Sequence, residues 1–223
     1  MQVFFERRAE LALGIWEYFF RPERAVDFVP GQYVEVQLPG VQGDARGPSR
    51  TFTLTSLPSD SSISFITKHF TLQTPYKHTL QALREGDGVR IGEAMGDLVL
   101  PKSVATPLIF VAGGIGVASY ASMLKDLLAR REERPVFLFY ALRARREQLF
   151  RGLTDAYPLA LKEITLAPHT LHAADIKDAT PPNALTYLSG SQHFVEDLRA
   201  ELEALGTPRS QIVFDYYDGY AEL

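Results

Sequence analysis

Pro107-Leu-Ile-Phe-Val-Ala-Gly-Gly-Ile-Gly-Val-Ala-Ser-Tyr-Ala-Ser-Met-Leu124 occupies the middle of the chain and changes character twice. The apolar run 108–111 reads as a buried strand. Gly113, Gly114 and Gly116 follow at once, and helical periodicity then runs from 118 to 128. A strand that turns through glycines into a helix leaves unpaired backbone N–H groups at the helix start, where the helix dipole adds positive potential. Such a turn suits the pyrophosphate of a dinucleotide, with the glycines keeping side chains out of its way. The spacing Gly114-x-Gly116-x-x-Ser119 departs from Gly-x-Gly-x-x-Gly in its last position, and a plain tight strand–helix turn has the same look. Taken alone, the turn leaves both readings open.

Downstream, apolar and β-branched runs at 136–141, 164–167, 186–189 and 211–214 alternate with helical stretches. One helix passes through Leu149, Phe150 and Leu153, and another carries Phe194, Leu198, Leu202 and Leu205 along one face. The segment around Ala173-Ala174-Asp175 fits neither period. This alternation predicts an α/β unit over residues 102–223, built on a doubly wound, five-stranded parallel sheet. Its ligand belongs at the carboxyl ends of the strands, where the glycines lie. Upstream the rhythm differs. Aromatic and β-branched runs at 3–5, 14–20, 33–38, 50–54, 63–68 and 89–91 are separated by turns such as Pro30-Gly31 and Gly86-Asp87-Gly88, with a polar loop over 40–48. Thr74 as N-cap, Pro75 as first helical residue and Gly86 as stop mark one short helix. The first 101 residues are therefore expected to form a six-stranded antiparallel β-barrel with one short helix.

The bulk properties agree with two such domains. At 223 residues the chain has room for two units of about 100 residues each. A net charge of −4, spread evenly, offers no basic stripe for nucleic acid or an anionic membrane. With no cysteine, the chain can form no disulfide, thiolate zinc site or self-ligated iron–sulfur cluster. No apolar run approaches the ~20 residues of a membrane span, and no basic-then-apolar leader opens the sequence, so a cytoplasmic location is expected. The histidines, at 69, 78, 169, 172 and 193, form no metal pair with flanking carboxylates.

In the barrel half, Ser49-Arg50-Thr51-Phe52-Thr53-Leu54-Thr55-Ser56 is the second informative stretch. Alternation puts Arg50 and Phe52 on one face. A guanidinium beside an aromatic ring suits a phosphate joined to a flat ring system; an exposed arginine beside a core phenylalanine gives the same pattern.

At this point the chain resembles the ferredoxin–NADP(H) reductase family of flavoenzymes over nearly its full length. Arg50-Thr51-Phe52-Thr53 matches the flavin motif Arg-x-Tyr/Phe-Ser/Thr. Pro30-Gly31-Gln32-Tyr33-Val34, Gly86-Asp87-x-Val89 and Gly96-x-Leu98-x-Leu100-Pro101 are similar to the family's barrel segments. Ala112-Gly113-Gly114-Ile115-Gly116 with Ser122-Met123-Leu124, then Tyr187-Leu188-Ser189-Gly190-Ser191 and the ending Asp215-Tyr216-Tyr217-Asp218-Gly219-Tyr220, are similar to the nucleotide domain. Each motif is modestly specific; their order and spacing together are strong.

The resemblance implies an FAD-binding barrel at 1–101 and an NAD(P)-binding domain at 102–223. It implies that Arg50 binds the flavin pyrophosphate, that Thr51 beside it belongs to the cofactor site, and that Phe52 packs on the flavin or ribityl chain. Thr53 would hydrogen-bond near the reactive N5, through a bulge or its backbone N–H, because alternation turns its side chain away from Phe52. Ile66, Thr67 and Lys68 would line the flavin, and Lys77, His78 and Thr79 would bring a second set of N–H groups to the pyrophosphate. Family members often show Gly-x-x-Ser where this chain has Tyr76-Lys77-His78-Thr79, so Thr79 takes the serine's role. Two phosphate sites favour FAD over FMN. Gly113, Gly114, Ile115, Gly116, Gly190 and Ser191 would hold NADPH or NADH. Arg143, in Leu142-Arg143-Ala144-Arg145-Arg146, is the first candidate for a 2′-phosphate; a solvated basic loop with NADH as donor is the alternative.

Two departures concern the hydride step. Ser189 and Ser191 stand where many members have cysteine and proline, and Ser119 also replaces a proline. At the C-terminal end, Tyr217 or Tyr220 either stacks on the flavin or packs at the end of the sheet. Thr53, Ser189 and Tyr217 are the implied catalytic residues. The implied activity is hydride transfer from the nicotinamide nucleotide to FAD, then electron transfer to a ferredoxin, a flavodoxin or a small molecule. Two other classes stay open: a flavin-free dehydrogenase, and a non-catalytic electron-transfer or regulatory nucleotide-binding subunit of a larger redox complex.

Overall fold

The computed structural model describes residues 1–69, 74–142, 147–156, 171–217 and the backbone of 160–165. The chain divides into two compact units, Met1–Val99 and Leu100–Leu223.

The first unit holds six strands: β1 (Gln2–Ala12), β2 (Ile15–Pro22), β3 (Tyr33–Gln37), β4 (Ser49–Thr53), β5 (Ile63–Lys68) and β6 (Gly88–Ile91). They form one antiparallel sheet in the order β4-β3-β6-β1-β2-β5. A Leu54–Phe65 bridge and a Thr55 N–H donating to Ser64 O at 2.7 Å join its two ends, closing the barrel. Closure needs curvature, and β1 supplies it. This strand runs well past the expected 3–5 and carries register shifts at Phe5/Arg7 and Glu10/Ala12, where an extra residue bends it. Val34, Val36 and Leu38 are fully buried, as the alternation of their segment predicts. Phe20, Phe65 and Phe52 stack through the interior, with centroids 5.4 and 4.2 Å apart. The helix α1 (Pro75–Ala82) packs Tyr76 and Leu80 into this core, capped by Thr74, whose Oγ accepts the Lys77 N–H.

In the second unit β7 (Leu108–Gly113), β8 (Val136–Leu142), β9 (Ala160–Thr165), β10 (Leu185–Ser191) and β11 (Ile212–Tyr217) form a parallel sheet ordered β11-β10-β7-β8-β9. The chain winds outward from β7 through β8 to β9, then returns to the other side of β7 for β10 and β11. The switch point therefore lies between β7 and β10, the place where sheets of this kind receive ligands. Helices α2 (Ala118–Ala129) and α3 (Arg151–Ala156) pack together, with Tyr120 of α2 stacked on Phe110 at 4.5 Å. Helices α4 (Ala173–Lys177) and α5 (Gln192–Ala204) enclose Ile109, Val111, Phe139, Leu188 and Ile212.

Several local expectations need correction. A 3₁₀ turn, Gly114–Val117, separates β7 from α2. The β9 strand starts four residues before the expected 164. Its Lys162 and Glu163 read as loop, yet an edge strand needs no continuous apolar run. Helix α3 begins only after Phe150, whose φ of +54° breaks the helical path. The unassigned stretch at Ala173 is α4, its start fixed by the His172 N–H donating to Asp175 Oδ2 at 3.0 Å.

Candidate functional site

Within β4, Arg50 and Phe52 are buried and Thr51 is exposed, as alternation requires; Thr53 breaks the pattern and is buried as well. Buried Arg50 is held at both of its terminal nitrogens. One, Nη2, donates to Asp44 Oδ1 at 2.6 Å, while Nη1 donates to the carbonyls of Arg46, Gly47 and Ser49. Its Nε is buried without a hydrogen-bond partner. The guanidinium lies 4.9 Å from the centre of the Tyr76 ring. Asp44 completes the arrangement: Oδ2 accepts the Tyr76 N–H in the first turn of α1 at 3.0 Å, and Oδ1 also accepts the Arg46 N–H at 3.0 Å. Burial works against this carboxylate. The Tyr76 N–H, the Arg50 guanidinium and the Arg46 N–H outweigh it and hold the pKa below its ordinary value.

The guanidinium and the α1 N–H form one anion site, and at present it grips a carboxylate. Its donors suit a phosphate. The orphaned Arg50 Nε shows that the cradle has a donor to spare, so the residues fit the pyrophosphate of a flavin dinucleotide. Tyr76 carries no part of this in the sequence reading except as a missing glycine. In the structure its backbone donates to Asp44, its ring lies under Arg50, and its hydroxyl donates to Val36 O at 2.9 Å.

Lys77 joins α1 to β5. Its Nζ donates to Thr67 Oγ1 and to Lys68 O. Ile66 and Thr67 are buried, while Lys68 is exposed. Burial, with the positive charge of Arg50 nearby, lowers the Lys77 pKa to about 8. Because the folded value lies below the ordinary 10.5, the charged amine costs stability at neutral pH, and stability rises as the proton leaves between about pH 8 and 10.5. Lys77→Met is expected to flatten this rise in urea midpoints measured across that window. His78 is exposed, and the Thr79 hydroxyl donates back to Pro75 O at 3.0 Å. Deeper in the barrel, Glu17 accepts hydrogen bonds from Thr55 and Ser64 at 2.8 and 2.9 Å. This buried polar knot has no counterpart among the expected site residues.

In the second unit the glycines divide by purpose. A Cβ on Gly116 would lie 2.2 Å from Ser189 O, and one on Gly113 or Gly190 would strike the Phe194 ring at 2.9 or 2.8 Å. These three glycines let the turn, β10 and α5 approach one another. Gly114 is different: its φ is +54° and nothing lies within 4 Å of its missing Cβ. It alone of the turn's glycines both needs a left-handed backbone and leaves open space, while Ile115 beside it is half-buried. Ser191 accepts the Phe194 N–H at 3.4 Å as N-cap of α5, a task a proline there could not perform.

Ser119 ties the strand ends together. Its Oγ lies 3.1 Å from Ser189 Oγ and 2.9 Å from the Tyr217 hydroxyl, and both serines are fully buried. Tyr217 is thus engaged at the end of β11. Tyr217→Phe is expected to cost about 1 kcal/mol of stability in chemical denaturation, the net worth of one hydrogen bond. Arg143 and Tyr220 lie outside the described residues. Among the described residues no cluster of His, Asp and Glu could hold a metal, and no helix is long and apolar enough to cross a membrane.

A closed antiparallel barrel is thus followed in the chain by a doubly wound parallel sheet. No family model matches the chain. It is 32% identical over 145 residues to the phenol hydroxylase P5 protein of Acinetobacter pittii, covering 61% of this chain and 38% of that protein. It is 24% identical over 211 residues to the reductase component of propane 2-monooxygenase from Rhodococcus jostii, covering 86% and 56%. The ferredoxin–NADP+ reductase of Plasmodium falciparum superposes with a TM-score of 0.81 at 14% identity, covering 97% of this chain and 95% of the other. The chain therefore has the ferredoxin–NADP(H) reductase fold, and its sequence is related to reductase components of oxygenases. It spans less than two thirds of those two relatives' own lengths.

Proposed function

We propose that the chain is an FAD-dependent NAD(P)H oxidoreductase, with residues 1–101 binding FAD and 102–223 the nicotinamide nucleotide. The observation that carries this reading is the anion site built from Arg50 and the first turn of α1, placed on the flavin motif of a barrel of this fold. Bound FAD would supply the redox chemistry, taking hydride from the nicotinamide and releasing electrons to an acceptor. The residues of the chain hold and shape. Arg50 and the Tyr76 N–H take the pyrophosphate, Phe52 backs the site from the barrel core, and Lys77 fixes β5 against α1. The turn at Gly114 takes the phosphates of the dinucleotide, and Ser119 locks Ser189 and Tyr217 in register.

The name of one relative, the reductase component of propane 2-monooxygenase, supports a protein acceptor such as an iron–sulfur or oxygenase partner. This chain has no cysteine to ligate such a cluster itself. Arg143 and its neighbouring arginines support NADPH as donor. The purified protein is expected to be yellow, and under anaerobic conditions NADPH should bleach its flavin band faster than NADH. Bound flavin that neither donor bleaches would remove the enzymatic reading. Arg143→Ala should weaken NADPH far more than NADH; equal losses would remove the 2′-phosphate assignment.

A further inference from the structure

We propose that Asp44 is a built-in competitor of the flavin pyrophosphate, so that the 40–48 loop must release Arg50 before the cofactor can seat. The inference rests on the flavin reading above. Its physical basis is that one set of donors cannot serve two anions. Asp44 takes the Arg50 Nη2 at 2.6 Å and the Tyr76 N–H at 3.0 Å, the groups a phosphate would need. Its side chain is only 3% exposed and that of Arg50 only 8%, so water does little to screen a second anion arriving at the same guanidinium.

The loop is built to leave. Gly40 and Gly47 flank the aspartate with φ of +75° and +74°, and no atom lies within 4 Å of a Cβ at either position. Both ends of the loop, 38–41 and Pro48, border a cavity of about 540 Å³, while Leu38 is buried in the barrel core and Val41 packs against it. The aspartate holds the loop through Arg50, Tyr76, the Arg46 N–H and the Gly47 N–H that donates to its carbonyl at 2.9 Å, alongside the Arg50 Nη1 bonds to the Arg46 and Gly47 carbonyls and a Leu38 N–H that donates to Pro48 O at 3.0 Å. When a binding-competent form is a minor fraction of the protein, apparent affinity falls by that fraction. Removing the charge on Asp44 therefore raises flavin affinity without adding a contact.

The test uses the full chain freed of co-purifying flavin. FAD and riboflavin, which has no phosphate, are titrated into the wild type, Asp44→Asn and Asp44→Ala. The expected result is FAD binding about tenfold tighter in the variants, with riboflavin binding unchanged. Unchanged or weaker FAD binding would overturn the proposal and leave Asp44 as a residue that merely positions Arg50. If no form binds either flavin, the flavin reading fails, and inorganic pyrophosphate decides the competitor on its own: tighter binding in the variants upholds it, equal binding overturns it. Hydrogen exchange on the wild type gives a readout that depends on no variant's folding. Saturating FAD, or pyrophosphate, should speed exchange at the Arg46 and Gly47 amides; slower or unaltered exchange there counts against release of the loop.

Discussion

Arg50→Ala is expected to yield a colourless protein whose barrel is about 3–5 kcal/mol less stable than the wild type, the usual cost of stripping the partner from a buried charge. The two losses have different causes. Flavin retention falls because the pyrophosphate loses its guanidinium, while stability falls because Asp44 is left buried with only the Tyr76 and Arg46 N–H groups to hold it. A second substitution separates them. In Arg50→Ala with Asp44→Ala, neither charge is buried, so the urea midpoint should return most of the way to that of the wild type while the protein stays colourless. A double variant as unstable as the single one would mean that the contact of the Arg50 guanidinium with the Tyr76 ring matters more than its pairing with Asp44. The pH dependence has a definite sign. The folded pKa of Asp44 is lowered, so its contribution is fully present above its ordinary value of 3.8 and is lost as pH falls below that through the folded value. The stability gap between wild type and Asp44→Asn should accordingly close in acid.

The sequence reveals the two sheets because their strands carry period-two or continuous apolar patterns that the core then uses. Val34 and Val36 alternate into the barrel, and 108–111 is buried throughout between β8 and β10. It reveals Arg50 and the glycine turn because those positions combine unusual residue types with fixed spacing. It conceals Asp44 because the carboxylate is delivered by a loop whose path is set by left-handed glycines, and no periodicity connects residue 44 to residue 76. It misplaces β9 because an edge strand can hold Lys162 and Glu163. It reads Ser119 only as a replacement for a proline, since its link to Ser189 and Tyr217 joins positions 70 and 98 residues apart.

The glycine turn itself gives the sharpest second test. Gly116→Ala is expected to destabilise the second unit by about 3 kcal/mol or more, at the upper end of overpacking effects. The added methyl would meet Ser189 O at 2.2 Å, its carbonyl carbon at 2.5 Å and Gly190 N at 2.8 Å, all backbone atoms of β10. That strand is paired on both sides, by β7 and β11, and has no direction in which to yield. Gly114→Ala should behave in the opposite way. Its methyl enters open space, so the stability cost is that of a left-handed alanine, about 1–2 kcal/mol. The space it fills, however, is where a phosphate would come closest to the turn, so nucleotide affinity should fall sharply in a protein that still melts cooperatively. Thermal melts with and without NADPH compare the two variants directly. A Gly114→Ala protein that kept wild-type stabilisation by NADPH would show that the turn binds no phosphate, and that its glycines serve only to let the 3₁₀ turn reach β10.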